Sequence, residues 1–366
     1  MMRVKLADVC ERGSSNLKQA DIPGKSGDYP VYGASGYIGN VDFYQQKKPY
    51  VAVVKDGAGI GRAMLLPAES SVIGTMQYLL PKSVVLPEYL FYVVKHMHLE
   101  KYFSGATIPH IYFKDYQNEE FTLDDLNKQH EVVTTLRKVE SVIENRQQQL
   151  QKLDDLIKAR FVEMFGDPGT NPMGWKETTI GEECFYIKDG PHKSLPDIGR
   201  ENGGHPFISV RNIVDGCIDF STAKYISDED YADAIKKCHP EKGDMLYSKG
   251  GTTGIAKLID VDVEFANWVH VAVLKFDKKK LNGVFFENML NGVYCYEQSQ
   301  RLTKGIANRD LVLSAMAQIK MYRPPMELQQ QFAAFVAQVT KSKVAVQKAL
   351  DEAQLLFDSL MQQYFG

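Results

Sequence analysis

The sequence predicts a mixed α/β (α+β) protein in which two related globular regions are each followed by a long amphipathic helix. Three observations lead to this prediction: a weak internal repeat, two heptad patterns in the same phase, and short β-rich runs that end at glycine turns. The 366 residues are 44% hydrophobic and 24% charged. This composition is ordinary for a folded protein of two or three domains.

The internal repeat is clearest at the ends of its two units. Residues 156–166 read LIKARFVEMFG, and residues 356–366 read LFDSLMQQYFG, an offset of 200. Near the starts, KLADVC at 5–10 resembles TIGEEC at 179–184, where the offset is 174. Because the offset grows along the chain, the second unit is predicted to carry insertions in its first two-thirds.

Each unit ends in a helix whose apolar residues recur every seven positions, as in a coiled-coil seam. The polar residues Arg146, Arg160 and Lys343 interrupt the two seams and could set their register. The apolar seam residues are Leu136, Val139, Ile143, Leu150, Leu153 and Ile157 in the first helix and Val336, Val339, Val346, Leu350, Phe357 and Leu360 in the second.

The equal phase of the two seams predicts that the helices pack against each other. If a pseudo two-fold axis relates the units, the helices are antiparallel and the globular regions lie at opposite ends of a rod. A helix of about 40 residues is roughly 60 Å long. The alternative is two unrelated amphipathic helices, each packed on its own domain.

Within the globular regions, residue composition predicts several elements. Residues 50–54, 244–248 and 269–276 are rich in β-branched and aromatic residues and are predicted to be strands. Residues 87–103 are predicted to be a helix, because Pro87 suits a first helical turn. Residues 281–302 are predicted to be helical despite two glycines.

The net charge of −3 and the pI of about 6.3 differ from those of strongly basic nucleic-acid binders. They still permit a local basic surface. The five cysteines form no CxxC pair, and Cys238–His239 has no matching second pair. We therefore expect no disulfide framework, no metal site and a reducing, cytoplasmic environment. No signal peptide and no membrane-spanning run are predicted.

Motifs of catalysis are missing from the sequence. It has no GxxxxGK[ST] phosphate loop, no GxGxxG after a strand, no HExxH and no GxSxG. The methyltransferase motif Asn/Asp-Pro-Pro-aromatic is also missing, and Asp260, Asp262 and Glu264 have no lysine that would complete a nuclease set. We therefore predict that this chain contains no catalytic residue and binds no cofactor.

Several loops combine basic, hydroxyl and glycine residues, which suit contacts with phosphates and with base edges. The alternative for each is a plain turn or a surface charge. The candidate DNA contacts are Lys55, Arg62, Lys188, His192, Lys193, Arg211, Asn212, Lys249, Thr252, Thr253, Arg301, Lys304, Asn308 and Arg309.

These loops and their order resemble the specificity subunits of type I restriction–modification systems over essentially the whole chain. In the first unit, Phe121-Thr122-Leu123 replaces the expected proline pair, which leaves the start of its helix open. The segments that carry the resemblance are YGASGYIG at 32–39, GATIPH at 105–110, KDGPH at 188–192, PFISVRNI at 206–213, GDMLYSKGGTTG at 243–254 and PPMELQQQ at 324–331.

The resemblance implies two target recognition domains, at 1–121 and 167–325, and two coiled-coil spacer helices, at 122–166 and 326–366. Each domain would read one half of a split double-stranded DNA site. The implied partners are two modification (methyltransferase) subunits and restriction (motor) subunits. S-adenosylmethionine, ATP and Mg²⁺ would be bound by those partners, which would methylate a flipped adenine or cut unmodified DNA.

Two other functions are weighed against this one. A self-sufficient methyltransferase or nuclease would need a cofactor motif that the sequence lacks. A coiled-coil scaffold with two heads that bind ligands other than DNA is the main alternative. Salt-dependent retention on DNA separates it from a DNA-reading protein, because phosphate contacts weaken steeply with salt.

Overall fold

Both long helices of the protein are shared between two structural units. The computed structural model describes residues 2–22, 24, 26–105, 109–214, 216–306 and 309–366. Unit 1 comprises Met1–Gln149 and Val346–Gly366, and unit 2 comprises Leu150–Ala345. Segments from the two ends of the chain therefore fold together in unit 1.

The described residues of unit 1 form a four-stranded sheet in the order β2-β8-β5-β6, a three-stranded sheet in the order β4-β3-β7, and the pair β1-β9. All neighbours are antiparallel except β3 and β7. The elements are β1 (Met2–Lys5), α1 (Leu6–Val9), β2 (Cys10–Ser14), β3 (Tyr29–Gly33), β4 (Gly36–Val41), β5 (Tyr50–Val54), β6 (Ala63–Leu66), β7 (Ser71–Val72), β8 (Met76–Pro81), α2 (Pro87–His96), α3 (Phe113–Tyr116), β9 (Glu120–Leu123) and α4 (Leu126–Phe165).

Unit 2 repeats this arrangement strand for strand. Its sheets have the orders β11-β17-β14-β15, β13-β12-β16 and β10-β18, so each strand corresponds to the one nine places earlier. The elements are β10 (Lys176–Thr179), α5 (Ile180–Glu183), β11 (Cys184–Asp189), β12 (His205–Ile208), β13 (Lys224–Ile226), α6 (Asp228–Lys237), β14 (Met245–Ser248), β15 (Ala256–Leu258), β16 (Ala266–Asn267), β17 (Val271–Phe276), α7 (Gly283–Asn291), α8 (Val293–Leu302), α9 (Leu313–Met316), β18 (Lys320–Arg323) and α10 (Met326–Phe365).

The predicted internal repeat and mixed α/β class are thus confirmed. The insertion predicted for the second unit is seen in α6, which has no counterpart among the described residues of unit 1. None of the helices that the structure describes is both long enough and apolar enough to cross a membrane.

Strand β5 shows why a continuous apolar run folds as it does. All five of its residues are buried. Val51 and Val53 belong to the core beneath α2, while Tyr50, Ala52 and Val54 belong to the core on the opposite face of the sheet. A strand covered on both faces has no solvent side, so its sequence loses the alternation of a half-exposed strand.

The predicted heptad rows are the rows that are buried along α4 and α10. All twelve apolar seam residues are buried or half-buried. In unit 1, Leu136 and Ile143 share a core with Phe357 and Leu360.

In unit 2, Ile157 shares a core with Val336, and the ring of Phe161 lies 5.4 Å from that of Phe332. The polar seam residue Lys343 pairs with Asp154, with 2.5 Å between Nζ and Oδ1. In unit 2, residue numbers thus rise along α4 as those of their partners in α10 fall. In unit 1, Tyr92 contacts Glu140 and Phe357, whereas Tyr89 contacts Asp124, which precedes α4, and Phe365. The two helical segments of each unit are therefore antiparallel.

Three predicted helix boundaries are wrong. Helix α4 begins at Leu126 and not at 122, because Thr122 pairs with Arg3 between β9 and β1. Helix α2 ends at His96 and not at 103, because His98 has a left-handed backbone (φ 50°). The predicted helix 281–302 is two helices, because Gly292 is extended (φ −65°, ψ 152°).

A buried glutamine anchors the start of each long helix. In unit 1, Gln129 accepts a hydrogen bond from the Leu86 N–H (2.8 Å) and donates to the Val84 carbonyl oxygen (2.9 Å). In unit 2, Gln329 accepts from the Asn282 N–H (2.8 Å) and donates to the Pro324 carbonyl oxygen (2.8 Å). Both side chains are fully buried, so losing either partner would leave an unsatisfied polar group.

The Phe332→Ala substitution is expected to lower the free energy of unfolding of unit 2 by about 3–5 kcal/mol, because it opens a cavity in a dense aromatic core. Phe332 is fully buried and its ring lies within 5.6 Å of the rings of Phe161 and Phe165. Urea denaturation followed by circular dichroism measures the change. The neighbouring exposed residue offers a control, Gln331→Ala, expected to change stability by less than about 0.5 kcal/mol. Equal effects of both variants would contradict the packing described.

Candidate functional site

Three segments of unit 2 converge to form what we call the unit 2 loop cluster: residues 188–193, residues 249–254, and residues 304–306 with 309–311. Two backbone hydrogen bonds join the last two segments. The Gly251 N–H donates to the Arg309 carbonyl oxygen (3.1 Å), and the Leu311 N–H donates to the Lys249 carbonyl oxygen (2.7 Å). The structure thus brings together most of the candidate residues of unit 2.

Lys249 joins all three segments through its ammonium group. Its Nζ lies 2.9 Å from Oδ1 of Asp310 and 3.6 Å from Oδ2 of Asp189. Its side chain is only 7% exposed. Lys237 Nζ also contacts Asp189, at 2.8 Å from Oδ1. Buried between carboxylates, Lys249 holds the loops in place; its contact with DNA stays a prediction.

Thr253 is likewise buried, and its hydroxyl lies 3.0 Å from that of Thr303. Arg309 is half-buried and donates to the side-chain carbonyl of Gln300. The Thr253 hydroxyl and the Arg309 guanidinium therefore make hydrogen bonds within the protein that stabilise the loops. Exposed candidates in this unit are Thr252, Lys188, His192, Lys193, Arg301 and Lys304. Asn308 lies outside the described residues.

Arg211 and Asn212 lie in a separate loop after β12. Asn212 is buried; its Oδ1 accepts from the Ser209 N–H (2.9 Å) and its Nδ2 donates to the Asp219 carbonyl oxygen (3.0 Å). Asn212 thus has a structural role in its loop, and its contact with a base stays a prediction. Arg211 is exposed, and its guanidinium donates to the Thr222 carbonyl oxygen (2.8 Å).

A cavity of about 230 Å³ adjoins Arg211. Two carboxylates stiffen its surroundings. Hydrogen bonds from the Tyr225 and Gly199 N–H groups lower the pKa of Asp197, and hydrogen bonds from Ser221 and Thr222 lower the pKa of Asp219. The cavity is lined by Ser194, Leu195, Phe207, Ser209, Arg211, Lys224 and Trp268.

Unit 1 forms the equivalent site, which we call the unit 1 loop cluster: residues 55–62 and 104–105 with 109–110. The Gly57 N–H donates to the Pro109 carbonyl oxygen (3.0 Å), and the Ile111 N–H donates to the Lys55 carbonyl oxygen (2.9 Å). These are the same two bonds that join the loops of unit 2. Residues 106–108 of the GATIPH motif lie outside the described residues.

The candidates of unit 1 are partly accessible. Lys55 is half-buried, with its Nζ 3.9 Å from Oδ2 of Asp56. Arg62 is exposed and donates to the carbonyl oxygen of Ala34 (3.2 Å). This bond links the cluster to the turn between β3 and β4.

Sequence reasoning missed a histidine–carboxylate pair at this site. Nδ1 of His110 lies 2.7 Å from Oδ1 of Asp56, and the ring of Tyr112 is stacked on His110 with centroids 6.3 Å apart. Lys114 lies over Tyr112, 5.4 Å from its centroid. The available signal was the offset of 200 residues in the repeat, which matches Gly105 with Gly305 and His110 with Asp310.

In the part of the chain that the structure describes, no group of three or more His, Cys, Asp or Glu side chains could hold a metal ion. Burial raises the pKa of the Cys238 thiol to about 11. Burial therefore disfavours the thiolate, which is the form that binds metals. The exposed groups of both clusters are instead ammonium, guanidinium, imidazole and hydroxyl groups, which suit hydrogen bonding to phosphates and base edges.

Comparison with known proteins yields a consistent result. The family model described as type I restriction modification DNA specificity domain matches residues 1–155 and again residues 172–353. The chain is 23% identical over 308 residues to the type I restriction enzyme MjaIX specificity subunit of Methanocaldococcus jannaschii. The aligned region covers 77% of this chain and 69% of that protein.

Solved structures share the fold. The type I restriction–modification system S subunit from M. genitalium superposes with a TM-score of 0.60 at 16% identity, covering 100% of this chain and 96% of that one. A chain from a study of complex assembly and conformational transition of the type I R-M system gives a TM-score of 0.53 at 16% identity, covering 99% of this chain and 97% of that one.

Replacing the buried ammonium group, Lys249→Met, is expected to lower the stability of unit 2 by about 1–2 kcal/mol, because Asp310 loses its cation and Asp189 keeps only Lys237. Hydrogen exchange should speed up at the amides of Gly251 and Leu311. Lys304→Met is the matched control, since Lys304 is exposed and its loss should cost less than about 0.5 kcal/mol. Unchanged amide exchange in the Lys249 variant would refute the role assigned to this lysine.

Proposed function

Because the chain belongs to the type I restriction modification DNA specificity domain family, we propose that it is the DNA-reading subunit of such a complex. Each unit reads one half of a bipartite site in double-stranded DNA through its loop cluster. The observation that carries the proposal is the repetition of one loop arrangement, with the same two backbone bonds, in both units. Two copies of a reading surface on one chain suit a site with two halves.

The chemistry of the two loop clusters supports contact with DNA. Arg62 in unit 1 and Lys188, Lys193 and Lys304 in unit 2 are exposed cations that suit phosphate oxygens or guanine edges. Glycines such as Gly251, with a φ of 70°, bring the backbone close to a ligand. The net charge of −3 is compatible with this, because partner subunits would supply further positive charge.

We propose two roles for the long helices. As spacers, they set the number of unread base pairs between the half-sites. As docking surfaces, they receive the modification and restriction subunits. In such an interface the exposed apolar side chains of the helices would become buried. They are Val142, Leu156 and Val162 on α4 and Val344, Leu355 and Leu356 on α10.

In this proposal the chain is non-catalytic and acts in the cytoplasm. The modification subunits bind S-adenosylmethionine and methylate adenine, while the restriction subunits use ATP and Mg²⁺. The missing phosphate-loop and methyltransferase motifs in the sequence support this division of labour. A protein whose retention on DNA does not fall as salt rises would instead favour the scaffold with heads for other ligands.

Exchanging residues 172–320 for the second domain of another specificity subunit is expected to change one half of the methylated site and leave the other half unchanged. The physical reason is that each unit has its own core and its own loop cluster. Methylation-aware sequencing of host DNA reads both halves and the gap together. The strain that carries the original chain provides the reference motif. A chimaera in which both halves change would rule out independent reading by the two units.

Inserting one heptad into each of α4 and α10 is expected to widen the unread gap by about three base pairs, since seven helical residues add about 10 Å. A whole heptad keeps the seam in phase, so both half-sites should be retained. The same sequencing measures the gap. A two-residue insertion in each helix is the control, because it rotates the following part of the seam by about 200° and should abolish methylation. An unchanged gap after the heptad insertion would show that the helices are not the spacer.

A further inference from the structure

The Asp56–His110 pair lies at the centre of the unit 1 loop cluster. Its two atoms, Oδ1 and Nδ1, are 2.7 Å apart, and the histidine side chain is 36% exposed. The backbone of His110 is held on both sides, because His110 and Ser104 exchange N–H to carbonyl hydrogen bonds of 2.8 and 2.9 Å. The ring is thus fixed in position and orientation while part of it remains open to solvent.

The equivalent backbone position in unit 2 carries a different functional group. Asp310 and Lys304 exchange the same pair of bonds, both of 2.9 Å, and the side chain of Asp310 is 43% exposed. Imidazole in one unit and carboxylate in the other therefore stand on the same scaffold. A position whose backbone is repeated while its side-chain chemistry differs is suited to distinguish two different half-sites.

The pair also fixes which ring nitrogen is available. With Nδ1–H donating to Asp56, the neutral ring carries an acceptor at Nε2. Nε2 makes no hydrogen bond to any described residue. Tyr112, stacked on the ring, and Lys114 above Tyr112 extend the same surface with an aromatic face and a cation.

We propose that His110 is a specificity-determining residue of unit 1 and that it accepts a hydrogen bond through Nε2 from a base edge. The donors available in the major groove are the amino groups of adenine and cytosine. Asp56 is a positioning residue that selects the accepting form of the ring. This inference rests on the proposed DNA-reading function and names the group that discriminates within it.

Two substitutions separate reading from structural support. In His110→Asn the amide replaces Nδ1 and keeps the bond to Asp56, but nothing replaces Nε2. In His110→Gln the amide reaches the place of Nε2 and loses the bond to Asp56. We expect His110→Asn to relax the preference at one base pair of one half-site by about tenfold, within the range of a lost base contact. His110→Gln should retain more of the preference.

The measurement is methylation-aware sequencing of a randomised-site plasmid library, with the full-length chain assembled with its modification subunits. The half-site that unit 2 reads is the internal control and should be unchanged. Asp56→Asn should broaden the choice at the same base pair, since an amide can hold either form of the ring. Thermal denaturation of each variant confirms that it is folded.

The outcomes distinguish the role of His110 from the proposed DNA-reading function of the chain. If His110→Asn leaves the motif unchanged, or weakens every position of the half-site equally, His110 does not read a base. In either case the wild-type bipartite motif still supports a DNA-reading subunit. If the wild-type complex produces no bipartite motif, both the proposed function and this inference are wrong.

Discussion

The core of unit 1 depends on contacts between two segments that are far apart in the sequence. Phe357, Met361 and Phe365 from the last helix are buried in the same cluster as Leu136 and Tyr89, and the ring of Phe365 lies 5.2 Å from that of Tyr89. Such burial contributes about 25 cal/mol per Å² of apolar surface. The sheets and loops of this unit therefore depend on the C-terminal part of α10, which packs against α4 through the heptad seam.

On this base, the two units keep one scaffold and vary its surface. Gln129 and Gln329 fix the start of each long helix by the same pattern of hydrogen bonds, and the loops below are joined by the same backbone bonds. The side chains on these loops differ, as His110 and Asp310 do. A fold of this kind separates the groups that give stability from the groups that give specificity.

The parts of this protein that could be predicted from its sequence are those governed by local periodicity. Apolar residues that recur every seven positions predicted the seam, and the apolar run at 50–54 predicted β5. The role of Lys249 could not be predicted, because its partners Asp189 and Asp310 are 60 and 61 residues away and only the tertiary fold brings them to it. The burial of Asn212 was missed for a different reason: its partners Ser209 and Asp219 are close in sequence, and the loop folds around the side chain.

The composite origin of unit 1 has a consequence for biosynthesis. Residues 346–366, which complete its core, leave the ribosome after the whole of unit 2. Unit 2, made of the continuous segment 150–345, has all its parts available earlier. The unit that is translated first is thus the last to complete its core. Until residues 346–366 are made, the apolar surface that they cover stays exposed and prone to aggregation.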